Sequence, residues 1–329
     1  MNQIKLPRAF QEDLAALREL RANRLKASPT LRACWKFVEQ EYRAYELRYR
    51  QPVLLGKLKR LTVPSARLLN ELYDRRISCF GYIQRLRDSA NKILQSCPYC
   101  GLPGDLTLDH YLPRSVGLFP HLSVLTANLV PACMPCQRAK GEFYPGFSKA
   151  LRVRVIPPPA TLHKSVLERP ARSVFGRRLA GKARLAGQSR VLHPYFDEIF
   201  STRMMRLVDV NGLKVLAASN SFYRKYRLVN FHVSKLRLAE RTAREINKAL
   251  DYFVASLQAH EVTTIGDAHR IAQAELKTAY GANRQGGSID ILVRHVVADD
   301  PRLLGELFER SQASPGELTL ESQVVALNI

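Results

Sequence analysis

Four of the six cysteines fall into two pairs, Cys97-Pro98-Tyr99-Cys100 and Cys133-Met134-Pro135-Cys136, with 32 residues between them. A Cys-x-x-Cys turn offers two thiolates from one knuckle, and two such turns close a tetrahedral four-sulfur shell around zinc with no open position. A redox dithiol would need only one pair. Met1 to Leu20 alternates charged and apolar residues, without a signal-peptide core. That pattern sets the expectation of a cytoplasmic chain, where stable disulfides are disfavoured. The pairs therefore read as ligands of a structural Zn²⁺. Cys34 and Cys79, isolated on apolar helix faces, read as buried thiols.

Between the pairs stands Asp109-His110, an acid beside an imidazole. The run from Leu106 to Ser115 reads as a short strand. Asn128 to Ala132 reads as a second strand entering Cys133, and Gln137-Arg138-Ala139-Lys140-Gly141 as the opening of a helix. A unit of about 45 residues buries too little apolar surface to hold two strands and a helix unaided, and a metal supplies the missing constraint.

This arrangement resembles the HNH, or ββα-metal, nuclease family over residues 97–144. It carries paired zinc knuckles, Asp-His on the first strand, Asn128 placed 18 residues after His110, a polar residue directly after the last cysteine, and Lys140 three residues on. The resemblance implies an endonuclease that hydrolyses phosphodiester bonds, with double-stranded DNA as substrate. Such a reaction needs a base for water, a cation against the charge building on phosphate, and a path for the leaving oxygen's proton. By the resemblance His110 is the general base, and an ordinary histidine pKa near ~6.5 suits it. Asp109, on the opposite face of the strand, would hold Mg²⁺ or Mn²⁺. Asn128 would fix the His110 ring through Nδ1. Where the family carries His or Asn after the last cysteine this chain has Gln137, whose longer side chain would have to shift the ion or accept a water between. The second reading is therefore a zinc-stabilised nucleic-acid-binding or adaptor protein impaired in cleavage. Arg114, Arg138 and Lys140 are candidate phosphate contacts. His121 reads as loop surface. A downstream stretch, His193-Pro194-Tyr195-Phe196-Asp197, resembles one in bacterial HNH proteins, some encoded beside ATPases in phage-defence loci; it also reads as a packing motif at a strand start.

The elements that must position these groups are mainly helical, so the expected class is α+β, mainly α with a small zinc-stapled ββα module. Pro7 to Ala27 reads as a helix stopped by Ser28-Pro29. Thr30 is a cap for the next, on which Leu31, Trp35, Val38, Tyr42, Tyr45 and Tyr49 form a stripe better suited to a packed seam than to base stacking. Residues 65–95 look mainly helical. Asn211-Gly212 between Leu207–Val210 and Leu213–Leu216 is a tight-hairpin signature. A long amphipathic helix follows on Leu236, Ala239, Ala243, Ile246, Leu250, Phe253 and Leu257, then helices near 267–280, 288–298 and 301–311, the last capped by Asp300 with Pro301 in its first turn.

Charge divides the chain in the same places. Of a net +22, residues 1–95 hold 20 basic against 9 acidic side chains, 96–150 hold 4 against 3, and 161–190 hold 8 against 1; 191–329 are nearly balanced, at 17 against 16. The expected divisions are a basic helical region at 1–95, a nuclease module at 96–150, a Pro-rich then basic linker at 151–190, and a hairpin with a helical bundle at 191–329. Arg177, Arg178, Lys182 and Arg184, spaced by glycines, would strap a polyanion. The C-terminal helices are candidates for a protein partner, such as an ATPase, or for self-association. No run approaches the ~18 to 20 apolar residues of a membrane helix, and membrane binding is set aside.

Overall fold

The computed structural model describes residues 5–22, 28–48, 61–75, 77–94, 96–144, 190–197, 205–210, 213–218, 223–282 and 289–313. These are mostly helical with two small antiparallel sheets, an α+β arrangement. No helix among them is long and apolar enough to cross a membrane.

Helix α1 (Phe10–Ala22) buries Leu14, Leu17 and Leu20 against α2 (Ser28–Arg48). Ser28-Pro29, read from the sequence as a helix stop, forms the first turn of α2, where a proline has no intrahelical N–H bond to lose. Thr30 thus lies inside the helix instead of capping it. Leu31, Trp35, Val38, Tyr42 and Tyr45 are buried, so the aromatic stripe is a core seam, and Cys34 is buried beside it. Tyr49 lies outside the described residues. Helix α3 (Val63–Glu71) starts at Thr62, whose Oγ1 accepts from the Ser65 N–H at 3.3 Å. A 3₁₀ turn at Ser78–Phe80 separates it from α4 (Gly81–Ile93), so the 65–95 segment is two helices and Cys79 sits in the turn between them.

The central unit is β1 (Leu106–His110) paired antiparallel with β2 (Leu129–Cys133), followed by α5 (Met134–Lys140). The register places Leu106 opposite Cys133 and His110 opposite Leu129, so one end of the pair meets the cysteines and the other carries the imidazole. Helix α5 opens at Met134, three residues earlier than the sequence suggested, because Pro135 suits its first turn. It ends at Gly141, whose φ of 54° is one that L side chains rarely adopt. Asn128 falls in a 3₁₀ turn before β2.

In the C-terminal half, β3 (Met205–Val210) and β4 (Leu213–Ala218) pair with Val210 opposite Leu213, the register of a two-residue turn. Helix α6 (Tyr223–Lys235), which the sequence did not announce, meets α7 (Leu238–Ala259) at Arg237, held at a φ of 51°. Helices α8 (Ile265–Ala282), α9 (Ile289–Asp299) and α10 (Pro301–Gln312) complete the half, and Asp300 caps α10 by accepting from the Arg302 and Leu303 amides at 3.0 and 3.3 Å. Leu250, Phe253 and Leu257 of α7 are buried together with Leu292 and Val293 of α9 and Leu303, Leu304 and Leu307 of α10.

Two devices tie the N-terminal helices and the C-terminal half to the central unit. Buried Asp13 of α1 accepts from the Thr126 amide and hydroxyl, both at 2.8 Å, with Arg8 at 3.0 Å. Residues 190–197 thread through the interior as a turn instead of a strand. Arg190 forks onto Asp197, the Tyr195 hydroxyl donates to the Leu129 carbonyl at 2.7 Å, and the Leu192 amide donates to His232 Nδ1 at 3.1 Å.

Candidate functional site

The cysteine pairs converge. Cys97, Cys100, Cys133 and Cys136 are buried, and their four sulfurs lie within 4.8 Å of one another, a constellation able to hold a metal ion. A tetrahedron with metal–sulfur bonds of about 2.3 Å has edges of about 3.8 Å, and Cys100 and Cys133 Sγ are 3.7 Å apart. The first knuckle is formed by the Gly101 amide donating to the Cys97 carbonyl at 2.7 Å, with Gly101 at a φ of 72°. The Cys133 amide donates to Cys97 Sγ at 3.3 Å, so each knuckle is also fixed to the other. Hydrogen bonds from the neighbouring thiols, that of Cys100 foremost, hold Cys133 far below the ordinary thiol range. A divalent ion in the cage favours the thiolate at all four positions.

Strand β1 turns Thr107 and Asp109 to one face and His110 to the other. His110 rests edge-on against Tyr73, ring centres 4.5 Å apart, and its Nε2 lies 2.9 Å from the Ser123 carbonyl. A carbonyl only accepts, so Nε2 carries the proton and Nδ1 keeps its lone pair. Burial, reinforced by the positive charges of Arg114 and Lys140, pulls the His110 pKa down to about 3, and the ring is neutral.

Asn128 does not fix this ring. Its Oδ1 accepts from the Leu112 amide at 2.8 Å and the Tyr45 hydroxyl at 3.0 Å; its Nδ2 donates to the Leu112 and Leu122 carbonyls at 3.0 and 3.2 Å. These four bonds fill the amide's capacity and close the loop from Leu112 to Asn128 on itself. The Ser123 carbonyl, carried on that loop, orients His110 instead. Tyr45 continues the chain: its oxygen lies 3.2 Å from His193 Nε2, and His193 Nδ1 accepts from the Tyr195 amide at 3.3 Å. His193 and Asp197 are therefore parts of the packing, the second as the anion that holds Arg190.

On the other face the arrangement departs further from expectation. Lys140, taken as a phosphate contact, is buried, and its ammonium reaches the Asp109 carboxylate at 3.2 Å, the His110 carbonyl at 2.9 Å and the Gly141 carbonyl at 3.2 Å. Those three acceptors use all its protons. Asp109 also accepts from the Tyr99 hydroxyl at 3.3 Å. Burial pushes its pKa up, against the pull of Lys140. Gln137 donates from Nε2 to Thr107 Oγ1 and to the Ala132 carbonyl, the latter at 3.0 Å. Asp109 and Gln137 thus do not assemble an oxygen-ligand set for Mg²⁺ or Mn²⁺ here, because a lysine cation already occupies the carboxylate.

Among the remaining candidates, Arg114 is committed to Asp74 at 2.8 and 3.3 Å and to the Asn70 carbonyl at 2.7 Å, and lies over the Tyr73 ring. Arg138 is exposed on α5 and forms no ion pair among the described residues. Arg177, Arg178, Lys182 and Arg184 lie outside the described residues. His121, expected on a loop surface, is buried against Phe37 and Phe119, because the 3₁₀ turn Pro120–Leu122 folds back under α2 and α3. Sequence reasoning also missed Arg241 of α7, whose guanidinium touches three of the four cysteine sulfurs. No local signal marks it, since it follows Cys136 by more than a hundred residues.

Compared with protein-family models, with curated proteins and with solved structures, the chain matches none.

Proposed function

We propose that this chain is a nucleic-acid endonuclease of the HNH kind, with His110 as general base and a structural zinc in the four-cysteine cage. The observation that carries this reading is His110 itself: a neutral imidazole whose Nε2–H is spent on a backbone carbonyl, leaving Nδ1 as acceptor, at the end of the ββα unit opposite the cysteines. Water would give its proton to Nδ1 as its oxygen bonds to phosphorus, and the P–O bond to the departing sugar oxygen breaks with a proton returned to that oxygen. A phosphodiester beside His110 brings negative charge, which raises the pKa of the imidazole from its depressed value toward the range where a base works best. The basic N-terminal region, +11 over residues 1–95, suits a polyanion such as double-stranded DNA, and the C-terminal helices suit a protein partner in a cytoplasmic assembly.

A second reading is favoured by the Lys140–Asp109 pair: with the carboxylate neutralised from within, the unit binds nucleic acid and does not cut it. Plasmid nicking with Mg²⁺, with Mn²⁺ and with EDTA separates the two. Nicking by the wild type that falls about 10² to 10⁴-fold in His110→Ala supports the first. Salt-sensitive binding without nicking under any metal supports the second. Equal nicking by His110→Ala would remove His110 from the reaction.

A further inference from the structure

Four thiolates around a divalent cation carry a net charge of minus two, and burying that charge is unfavourable unless neighbouring groups answer it. Backbone amides answer part of it, Cys133 N–H on Cys97 Sγ among them. The rest comes from far along the chain. Arg241, in the first turn of α7, places Nη1 3.3 Å from Cys136 Sγ, and Nη2 3.6 Å from Cys133 Sγ and 3.8 Å from Cys100 Sγ. Nη1 also donates to the Leu236 carbonyl at 3.0 Å, at the corner between α6 and α7, so the guanidinium is aimed by the helix junction itself. The partial positive charge of a helix N-terminus adds to it.

Two other elements of the C-terminal half meet the same knuckle. His232 Nε2 of α6 lies 2.8 Å from the carbonyl of Tyr99, between Cys97 and Cys100, and the Ile289 amide of α9 donates to the Gly101 carbonyl at 3.0 Å. Three helices thus converge on the four-cysteine centre, α6 and α9 on the backbone of the Cys97–Gly101 turn and α7 on the sulfurs of Cys100, Cys133 and Cys136.

We propose that the four-cysteine centre is the joint by which the C-terminal helices dock on the ββα unit, with Arg241 as the outer ligand that balances its charge. Metal binding and docking are then linked: each strengthens the other by the same factor. The proposal rests on the zinc assignment and is independent of cleavage.

The test uses the full chain loaded with zinc. Release of zinc to a chromogenic chelator is followed for wild type, Arg241→Ala, Arg241→Lys and, as a control on α7 away from the sulfurs, Asn247→Ala, whose side chain bonds Lys214. Arg241→Ala should release zinc about tenfold faster, the low end of what loss of an outer-shell partner does. Arg241→Lys should fall between, since it keeps charge and loses the fork, and Asn247→Ala should match wild type. In parallel, stripping zinc from the wild type should lower hydrogen-exchange protection at the α6–α7 junction, around residues 232–246. Equal release by wild type and Arg241→Ala, equal acceleration in Asn247→Ala, or unchanged protection after stripping would each overturn the proposal. A chain that holds no zinc and takes up none would overturn it together with the zinc assignment, and metal analysis distinguishes that outcome from the others.

Discussion

Residues 96–144 and the helices from Leu238 to Gln312 fold by different means. In the first, His121, Ser123, Thr126, Asn128 and Lys140 are all buried, and four of these hold named backbone or carboxylate partners. In the second, among the described residues, the buried polar side chains are Thr242 and Ser311, and the interior is otherwise leucine, valine, isoleucine, phenylalanine and alanine. Apolar burial is non-directional and grows with area, so helices with long apolar faces can rely on it. A unit with two five-residue strands and a two-turn helix has little such area. It depends on directional bonds and on sulfurs gathered at one point. Directional bonds also set angles, which is what an acid and an imidazole on adjacent residues require.

The contrast would break most visibly at the cysteines. Cys133→Ser should abolish metal retention and unfold the central unit, since structural zinc supplies about 10 to 16 kcal/mol in small metal-bound domains; metal analysis with far-UV circular dichroism checks it, and a variant that keeps both its metal and its melting temperature refutes the dependence. Asn128→Ala comes next. It strands the Leu112 amide and the Leu112 and Leu122 carbonyls in the interior, so urea unfolding should show a loss of about 4 kcal/mol, a few groups at about 1 to 3 kcal/mol each with partial relief by water. Leu257→Ala, in the apolar half, should cost about 3 kcal/mol through transfer and cavity alone. It should change zinc release less than Arg241→Ala does, since Leu257 packs in the apolar interior with α9 and α10 while Arg241 touches the sulfurs; an equal change would mean that the two regions fold as one.

The smallest effect is a pH dependence where the halves meet. His232 is buried and its pKa is lowered to about 4, so the folded state refuses a proton that the unfolded chain accepts below the ordinary histidine value near ~6.5. Its contribution is therefore present at neutral pH and lost as pH falls through that window. From pH 7 to 5 the wild type should lose about 2 kcal/mol more than His232→Gln, measured as the difference between their urea midpoints at each pH.

Much of this frame is legible in the amino-acid sequence. Each cysteine pair announces its knuckle because a knuckle is local, and Asn-Gly announces the register of Val210 opposite Leu213 for the same reason. The apolar spacing of α2 and α7 marks their buried faces. What escaped is tertiary. Lys140 reads as a surface cation in any helix that ends in glycine, and only the packing of α5 on β1 turns it onto Asp109. Asn128 reads as a partner for the imidazole, and only the closed loop shows that its four bonds are taken by Leu112, Leu122 and Tyr45. Arg241 carries no signal at all, since its partners are sulfurs more than a hundred residues away. The α6 helix, rich in arginine and lysine, lacks the long apolar period that made its neighbour visible.

On either side of residues 145–189 the chain is anchored: Tyr144 packs on Phe119, ring centres 5.1 Å apart, and Arg190 is buried. Both ends are anchored by contacts of their own: Phe143 lies on Phe231 of α6, and the 190–197 turn is bonded to Leu129 and His232. A cut placed between them would sever one covalent link and none of these contacts. The two pieces, made separately, should find each other and reassemble as a noncovalent pair, an opportunity for building the molecule in halves.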